Sequence, residues 1–179
     1  MKNAMQISKI IRAKIETEYL FLKGNAPINS RYFINKIEES ISSEDNMNFK
    51  TNLNGHMTPW TYFTYDNTLT KFLLPIYDVI EKTRHKEQLQ WKLTEAWGFR
   101  SNFAGYTSEH DHNPAFLSGA IMLTNSSQTL HFPQIGETLE CKPGNFAVFS
   151  SYLLHRNYRT LEEKPRYGLS FNISQENKW

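Results

Sequence analysis

The sequence predicts a mainly β fold, a sandwich or jelly roll buttressed by helices from the N-terminal half. Three features predict it. Helical periodicity is confined to the residues before 88. Residues 89–179 form a run of short apolar segments broken by turn residues, the pattern of sandwiches and jelly rolls. Aromatic side chains make up 14% of the chain, with 12 Phe, 9 Tyr and 4 Trp, and they favour pleated, buried surfaces. At 179 residues the chain fits a single domain, with 1–88 as helical and loop support and 89–179 as the jelly-roll core.

Taken in order, Ile7, Ile10, Ile11 and Ile15 have helical spacing, whereas Glu16 to Leu22 reads as a strand that ends at Lys23-Gly24-Asn25. Asn29 or Ser30 can cap a helix through Tyr32, Ile34, Ile37 and Ile41. Ser42 to Asn54 is polar and reads as loop, and Gly55 to Trp60 as a turn or an ordered lid. A second helix starts near Thr68. Leu69, Phe72, Leu73, Ile76 and Ile80 mark its apolar face, Pro75 is a point of kinking, and Lys82 and Lys86 place positive charge near its end. Strands are expected over Leu89 to Phe103, Ser118 to Thr124, Gln128 to Phe132, Gly136 to Cys141, Phe146 to Ser150 and Arg166 to Ile173. Turns fall at Asn125-Ser126-Ser127 and Lys142-Pro143-Gly144-Asn145.

Composition narrows the function. Lys and Arg number 20 against 18 Asp and Glu, a net charge of +2, which gives no reason to expect nucleic acid or an anionic membrane as partner. Met1 to Leu22 is interrupted by charges and lacks the apolar stretch of a signal peptide. No apolar run approaches the ~20 residues that span a bilayer. The single cysteine, Cys141, excludes an internal disulfide and a multi-cysteine zinc site, and fits a cytoplasmic location. It reads as an inert strand residue.

The chemistry centres on Glu109-His110-Asp111-His112-Asn113-Pro114. Imidazoles at i and i+2 point to the same side of an extended segment. A third imidazole, His155, would close a metal site open on one face, as an oxygen-activating iron(II) needs. Asp111 is the alternative ligand if the segment is bulged. On the last strand Arg166, Gly168, Ser170 and Asn172 alternate with Tyr167, Leu169, Phe171 and Ile173. The Arg166 guanidinium can fork onto a distal carboxylate, Ser170 can add a hydroxyl, and Gly168 leaves space between them. Such a pocket suits a dicarboxylate keto acid. The bland readings are a hydrogen-bonded strand-end histidine for His155, a surface ion pair with Glu162 or Glu163 for Arg166, and packing for Ser170. His131 reads as structural, His85 as solvated, and His56 as part of a surface loop.

The order His-x-His, Ser-Gly and a strand, Pro-Gly-x-x-x-x-Phe, His, then Arg-x-x-x-Ser-x-Asn resembles the iron(II)- and 2-oxoglutarate-dependent oxygenases. Within them it is similar to an uncharacterised branch with a pattern near His-x-His-Pro followed by Ser-Gly-Val-Tyr-Tyr. The resemblance runs from Trp91 to Ile173, through His110-Asp111-His112, Ser118-Gly119, Pro143 to Ser150, His155 and Arg166 to Asn172. It implies a double-stranded β-helix, a cupin-like jelly roll, that couples 2-oxoglutarate decarboxylation to substrate oxidation by O2, usually hydroxylation. By that pattern His110 and His155 bind iron, and Arg166 holds the 2-oxoglutarate carboxylate. Asn102 and Tyr106, on the preceding strand, are expected to lend polar groups to it; otherwise they are turn and core residues.

Residue 112 departs from the pattern, which commonly has Asp or Glu there. His112, Asp111 or water then completes the site. Halogenating relatives carry a small residue at this position, so His112 argues against a halide site. Trp60, Trp97 and Phe103 are expected to wall the pocket. Two other readings compete: a non-catalytic cupin-like module binding a metal or ligand, and a three-histidine iron dioxygenase that uses no keto acid. The substrate class spans small molecules and peptidyl side chains, and the oligomeric state is open.

Overall fold

Asn29 starts the first helix: its side chain accepts a hydrogen bond from the Tyr32 amide at 3.2 Å, and α1 runs over Ser30–Ile41. The computed structural model describes residues 18–43, 52–83 and 89–177. The isoleucines before residue 16 and His85 lie outside these. The second helix, α2 (Asn67–Thr83), is one residue longer at its start than the periodicity predicts. Its cap is Asp66, which the sequence reading missed. One carboxylate oxygen accepts from the Thr68 and Leu69 amides at 2.9 and 3.0 Å, and the other from the Tyr32 hydroxyl at 2.6 Å. One side chain thus begins α2 and ties it to α1. Asp66→Ala is expected to cost about 1–2 kcal/mol in urea unfolding, most of it recovered by Asp66→Asn, which keeps the capping oxygen. Pro75 lies on the exposed face of α2, and the helix continues through it.

Among the described residues ten strands form two sheets. They are β1 (Phe21–Asn25), β2 (His56–Met57), β3 (Leu89–Ser101), β4 (Thr107–His110), β5 (Leu117–Met122), β6 (Ser126–Phe132), β7 (Glu137–Cys141), β8 (Asn145–Ser150), β9 (His155–Asn157) and β10 (Arg166–Asn177). The larger sheet has the order β1-β8-β5-β10-β3-β2, the smaller β4-β9-β6-β7. The strand expected over Glu16 to Leu22 and ending at Lys23-Gly24-Asn25 does end at Asn25, but among the described residues it starts only at Phe21, and with β2 it joins the larger sheet. The first half of the chain therefore supplies sheet as well as support. Strand β6 begins at Ser126, inside the expected turn.

Side-chain alternation sorts two apolar layers. Outward-pointing Ile121, Val148, Leu169, Phe171 and Ile173 pack under Phe33, Ile37, Leu69, Leu73 and Ile80 of the helices. Inward-pointing Ala120, Met122, Ala147 and Phe149 meet Leu130, Phe132 and Leu139 of the smaller sheet. Covered on both sides, β5 is buried along its whole length, which explains the apolar run Ala120-Ile121-Met122 at its end. Gly98 lets α1 lie close to β3: a Cβ there would sit 2.3 Å from Ile37 Cγ1. Gly98→Ala is expected to destabilise the fold by about 1–3 kcal/mol, read as a lowered urea midpoint, because helix or strand must shift. Among the described residues no helix is long and apolar enough to cross a membrane.

Candidate active site

The inner face of the larger sheet forms a floor of cross-strand rows. Glu95, Asn172 and Ser118 are paired across β3, β10 and β5; Trp97, Ser170 and Ala120 form the next row, then Phe99, Gly168 and Met122. Arg166 is paired with Ser101 at the far end. The antiparallel period of two puts every second residue of β10 on this floor, as the alternation of Arg166, Ser170 and Asn172 predicted. A cavity of about 620 Å³ lies over it, lined among others by His110, His112, His155, Arg166, Ser170 and Asn172.

Tertiary pairing assembles the histidines. His110 and His155 are direct cross-strand partners in β4 and β9, with ring centroids 4.3 Å apart. His112 lies just past the end of β4, held by its amide donating to the Ser151 carbonyl at 2.7 Å. One ring nitrogen from each imidazole lies within 4.8 Å of the other two. Asp111 is outside this group: it is exposed, and its carboxylate accepts from the Asn113 amide at 3.2 Å. The structure thus brings together His112, and not Asp111, with His110 and His155.

The hydrogen bonds set the tautomers. His110 Nδ1 meets the Ser108 carbonyl at 2.7 Å and His155 Nδ1 the Leu153 carbonyl at 3.0 Å. A carbonyl can only accept, so both Nδ1 atoms carry the proton. His112 Nδ1 meets Asn172 Oδ1 at 2.8 Å. The Asn172 amide is oriented by Glu95, whose carboxylate accepts from Nδ2 at 2.6 Å. Asn172 Oδ1 therefore faces His112, and His112 also carries its proton on Nδ1.

All three Nε2 atoms then present lone pairs to one another. His110 Nε2 and His112 Nε2 are 3.1 Å apart, a repulsive contact between two acceptors. That spacing is close to the one two nitrogens take when each sits ~2.1 Å from one ion at a right angle. Burial pushes the pKa of all three imidazoles down, that of His112 to about 4 and that of His155 well below the ordinary value. They stay neutral at pH 7, as metal ligands must. This donor set fits a divalent metal ion.

Arg166 is 2% exposed, which removes the surface ion-pair reading. Glu162 is occupied elsewhere, accepting from Ser126 Oγ at 2.6 Å and the Ser127 amide at 2.7 Å. Among the described residues the guanidinium has only long contacts: Nη1 to Cys141 Sγ at 3.7 Å and Nη2 to Asn157 Oδ1 at 3.4 Å. It stacks 4.9 Å over the Phe99 ring, and its Nε has no partner. Among the described residues no carboxylate forms an ion pair with it; a buried cation without a counter-charge is costly, and it lines the same cavity as the histidines. The site fits an anionic group such as a carboxylate.

Several expectations need correction. Asn102 and Tyr106 do not line the cavity. Asn102 is exposed in a turn, where its carbonyl accepts from Gly105, and Tyr106 lies 5.7 Å from the Arg159 guanidinium. The chain turns at Gly105 before it reaches the histidines, which carries both side chains away. Phe103 is 60% exposed and also absent from the wall, whereas Trp60 and Trp97 are there, packed edge to face at 4.4 Å. The space above Gly168 is not open: a Cβ there would meet Phe99 Cζ at 2.4 Å, so the missing side chain admits the ring that underlies Arg166.

Among the described residues the other histidines, His56 and His131, stay apart from the cluster. His131 meets Thr129 Oγ1 at 2.7 Å, consistent with a structural role, and His56 is exposed. Cys141 is buried, and burial pushes its thiol pKa up even though Arg166 opposes the shift.

Sequence reasoning missed Glu95 and Asn157. Asn157 is buried, with Nδ2 donating to the Thr129 carbonyl at 2.5 Å, so its Oδ1 is aimed at Arg166. Each carried a signal. Glu95 is a charge on the inward face of an otherwise aromatic strand, Glu95-x-Trp97-x-Phe99, and Asn157 follows His155 at i+2 on the same strand side.

No protein-family model and no curated protein matches this sequence. Solved structures do match in fold. The viral collagen prolyl hydroxylase of Paramecium bursaria Chlorella virus-1, solved as its 2OG complex, superposes with a TM-score of 0.63 at 13% identity, covering 86% of this chain and 94% of that one. A Pseudomonas putida prolyl-4-hydroxylase gives 0.61 at 10% identity, over 89% and 93%. SnoN, a non-heme alpha-ketoglutarate-dependent epimerase from nogalamycin biosynthesis, gives 0.60 at 11% identity, over 89% and 77%. The architecture of this chain, a double-stranded β-helix buttressed by helices on the outer face of its larger sheet, is therefore the fold found in prolyl hydroxylases and other 2-oxoglutarate- and iron(II)-dependent oxygenases.

Proposed function

We propose that this chain is a single-domain iron(II)/2-oxoglutarate-dependent oxygenase, with hydroxylation as its reaction. One observation carries the reading: three imidazole lone pairs converge at one point, and an uncompensated buried guanidinium lines the same cavity. His110, His112 and His155 would hold the metal, and Arg166, with Ser170 beside it on β10, would hold the far carboxylate of 2-oxoglutarate. Iron(II) with O2 would supply the oxidative chemistry that couples decarboxylation to succinate and CO2 with oxidation of a substrate.

The chain's own contribution is placement and exclusion. Ser108, Leu153 and Asn172 lock each Nδ1–H and so aim each Nε2. Met122, Leu130 and Phe149 keep the inner end of the cavity dry, and Trp60 and Trp97 flank it with apolar surface. The substrate, a small molecule or a peptidyl side chain, enters this cavity, and the setting is a reducing cytoplasm. No nucleic acid or membrane is needed.

The test is anaerobic loading with iron and 2-oxoglutarate followed by O2. The expected result is a 2-oxoglutarate-dependent visible band and uncoupled succinate formation; absence of both rejects the reading. His112 in place of the usual carboxylate favours a second reading, a three-histidine dioxygenase without a keto acid. In that case Arg166→Met leaves metal-dependent O2 uptake intact.

A further inference from the structure

Three neutral imidazoles leave a divalent ion with its full charge, where a carboxylate ligand would cancel part of it. A negative charge does stand nearby, one hydrogen-bonded residue removed. Glu95 and Asn172 are cross-strand partners, and the register slips just beyond them, where Asn172 pairs with Glu95 and Ile173 with Leu93. The extra residue, Thr94, donates its hydroxyl to the Asn172 carbonyl at 3.2 Å. Such a bulge re-aims side chains. Here it accompanies a chain of short bonds: Glu95 Oε2 to Asn172 Nδ2 at 2.6 Å, and Asn172 Oδ1 to His112 Nδ1 at 2.8 Å and Ser118 Oγ at 2.7 Å. Asn172 is 7% exposed and Ser118 fully buried, so water competes weakly and the bonds polarise one another.

We propose that Glu95 is a positioning residue which, through Asn172, supplies His112 with the negative charge that a carboxylate ligand would bring to the metal. It fixes the Asn172 amide, and hence the His112 tautomer, and it makes the His112 Nε2 a stronger donor. This rests on the metal-centre reading of the three histidines. The same charge favours the more oxidised state of a bound iron.

Anaerobic titration with Co(II), and the Fe(III)/Fe(II) potential of the iron-loaded protein, test it. Glu95→Gln keeps size and can still bond Asn172, yet removes the charge and frees the amide to flip. Its Co(II) affinity is expected to fall roughly 10–100-fold and its iron potential to rise. The double variant Glu95→Gln, Asn172→Asp moves the carboxylate next to His112 while preserving every bond in the row, and is expected to restore both. It also carries the test if the single variant does not fold. Wild-type protein that binds no Co(II) rejects the metal centre itself. Wild-type binding with an unchanged affinity and potential in Glu95→Gln, or a double variant no better than the single one, overturns the role of Glu95 alone.

Discussion

Replacing His155 with alanine is expected to abolish stoichiometric metal binding. His155 is 4% exposed, and on the proposed reading its Nε2 is one of the two donors that the smaller sheet contributes, from β9 beside His110 of β4. A four-donor structural metal site is worth about 10–16 kcal/mol, so each donor carries about 3–4 kcal/mol, which is roughly 10²–10³-fold in affinity. The variant also leaves a void where the ring packs between Phe149 at 4.9 Å and Phe132 at 5.7 Å, a further loss of about 2–4 kcal/mol of fold stability. His155→Gln, which refills much of that volume, separates the two effects. It is expected to keep most of the metal-free stability and still lose the metal. Co(II) absorption and metal content after desalting read the first quantity, urea unfolding the second. Wild-type metal affinity in either variant would remove the three-histidine centre.

Replacing Arg166 with methionine is expected to abolish 2-oxoglutarate binding without harming the metal-free fold. The guanidinium holds its place with a long contact to a thiol, a long contact to an amide oxygen and the face of Phe99. None of these compensates a buried charge, so methionine, apolar and of similar length, leaves stability equal or higher. Charge-assisted bonds to a carboxylate are lost, about 3 kcal/mol or more, which weakens binding on the order of 100-fold. Thermal unfolding shows both signs at once. The wild type with metal gains about 2.7 kcal/mol when 2-oxoglutarate is at 100 times its Kd, and Arg166→Met gains close to none at that concentration. If the variant keeps the full stabilisation, the co-substrate carboxylate binds elsewhere and the assignment of Arg166 is wrong.

Much of the site was legible because its chemistry has a short reach along the chain. His110 and His112 sit at strand spacing, and the alternation in β10 separates Arg166, Ser170 and Asn172 from Leu169, Phe171 and Ile173 by a rule that needs only the pleat. What was misread depends on where a turn sends the chain. Asn102 and Tyr106 are close to His110 in sequence but flank the turn at Gly105, and sequence distance carries no direction through a turn. Asp66 was missed as a helix cap because the first apolar residue of α2 drew the boundary instead.

The sequence by itself determined the class of fold, through periods of 3.6 and 2 in the two halves, and the short set of candidate donors, His110, His155 and either His112 or Asp111. Tertiary structure alone decided three things. It paired His110 with His155 across β4 and β9, it placed the His112 ring and not the Asp111 carboxylate beside them, and it joined Glu95 to His112 through Asn172. Side-chain period is a property of the local backbone, whereas strand register and the direction of a polar atom arise only when distant strands meet and each buried group must find its partner.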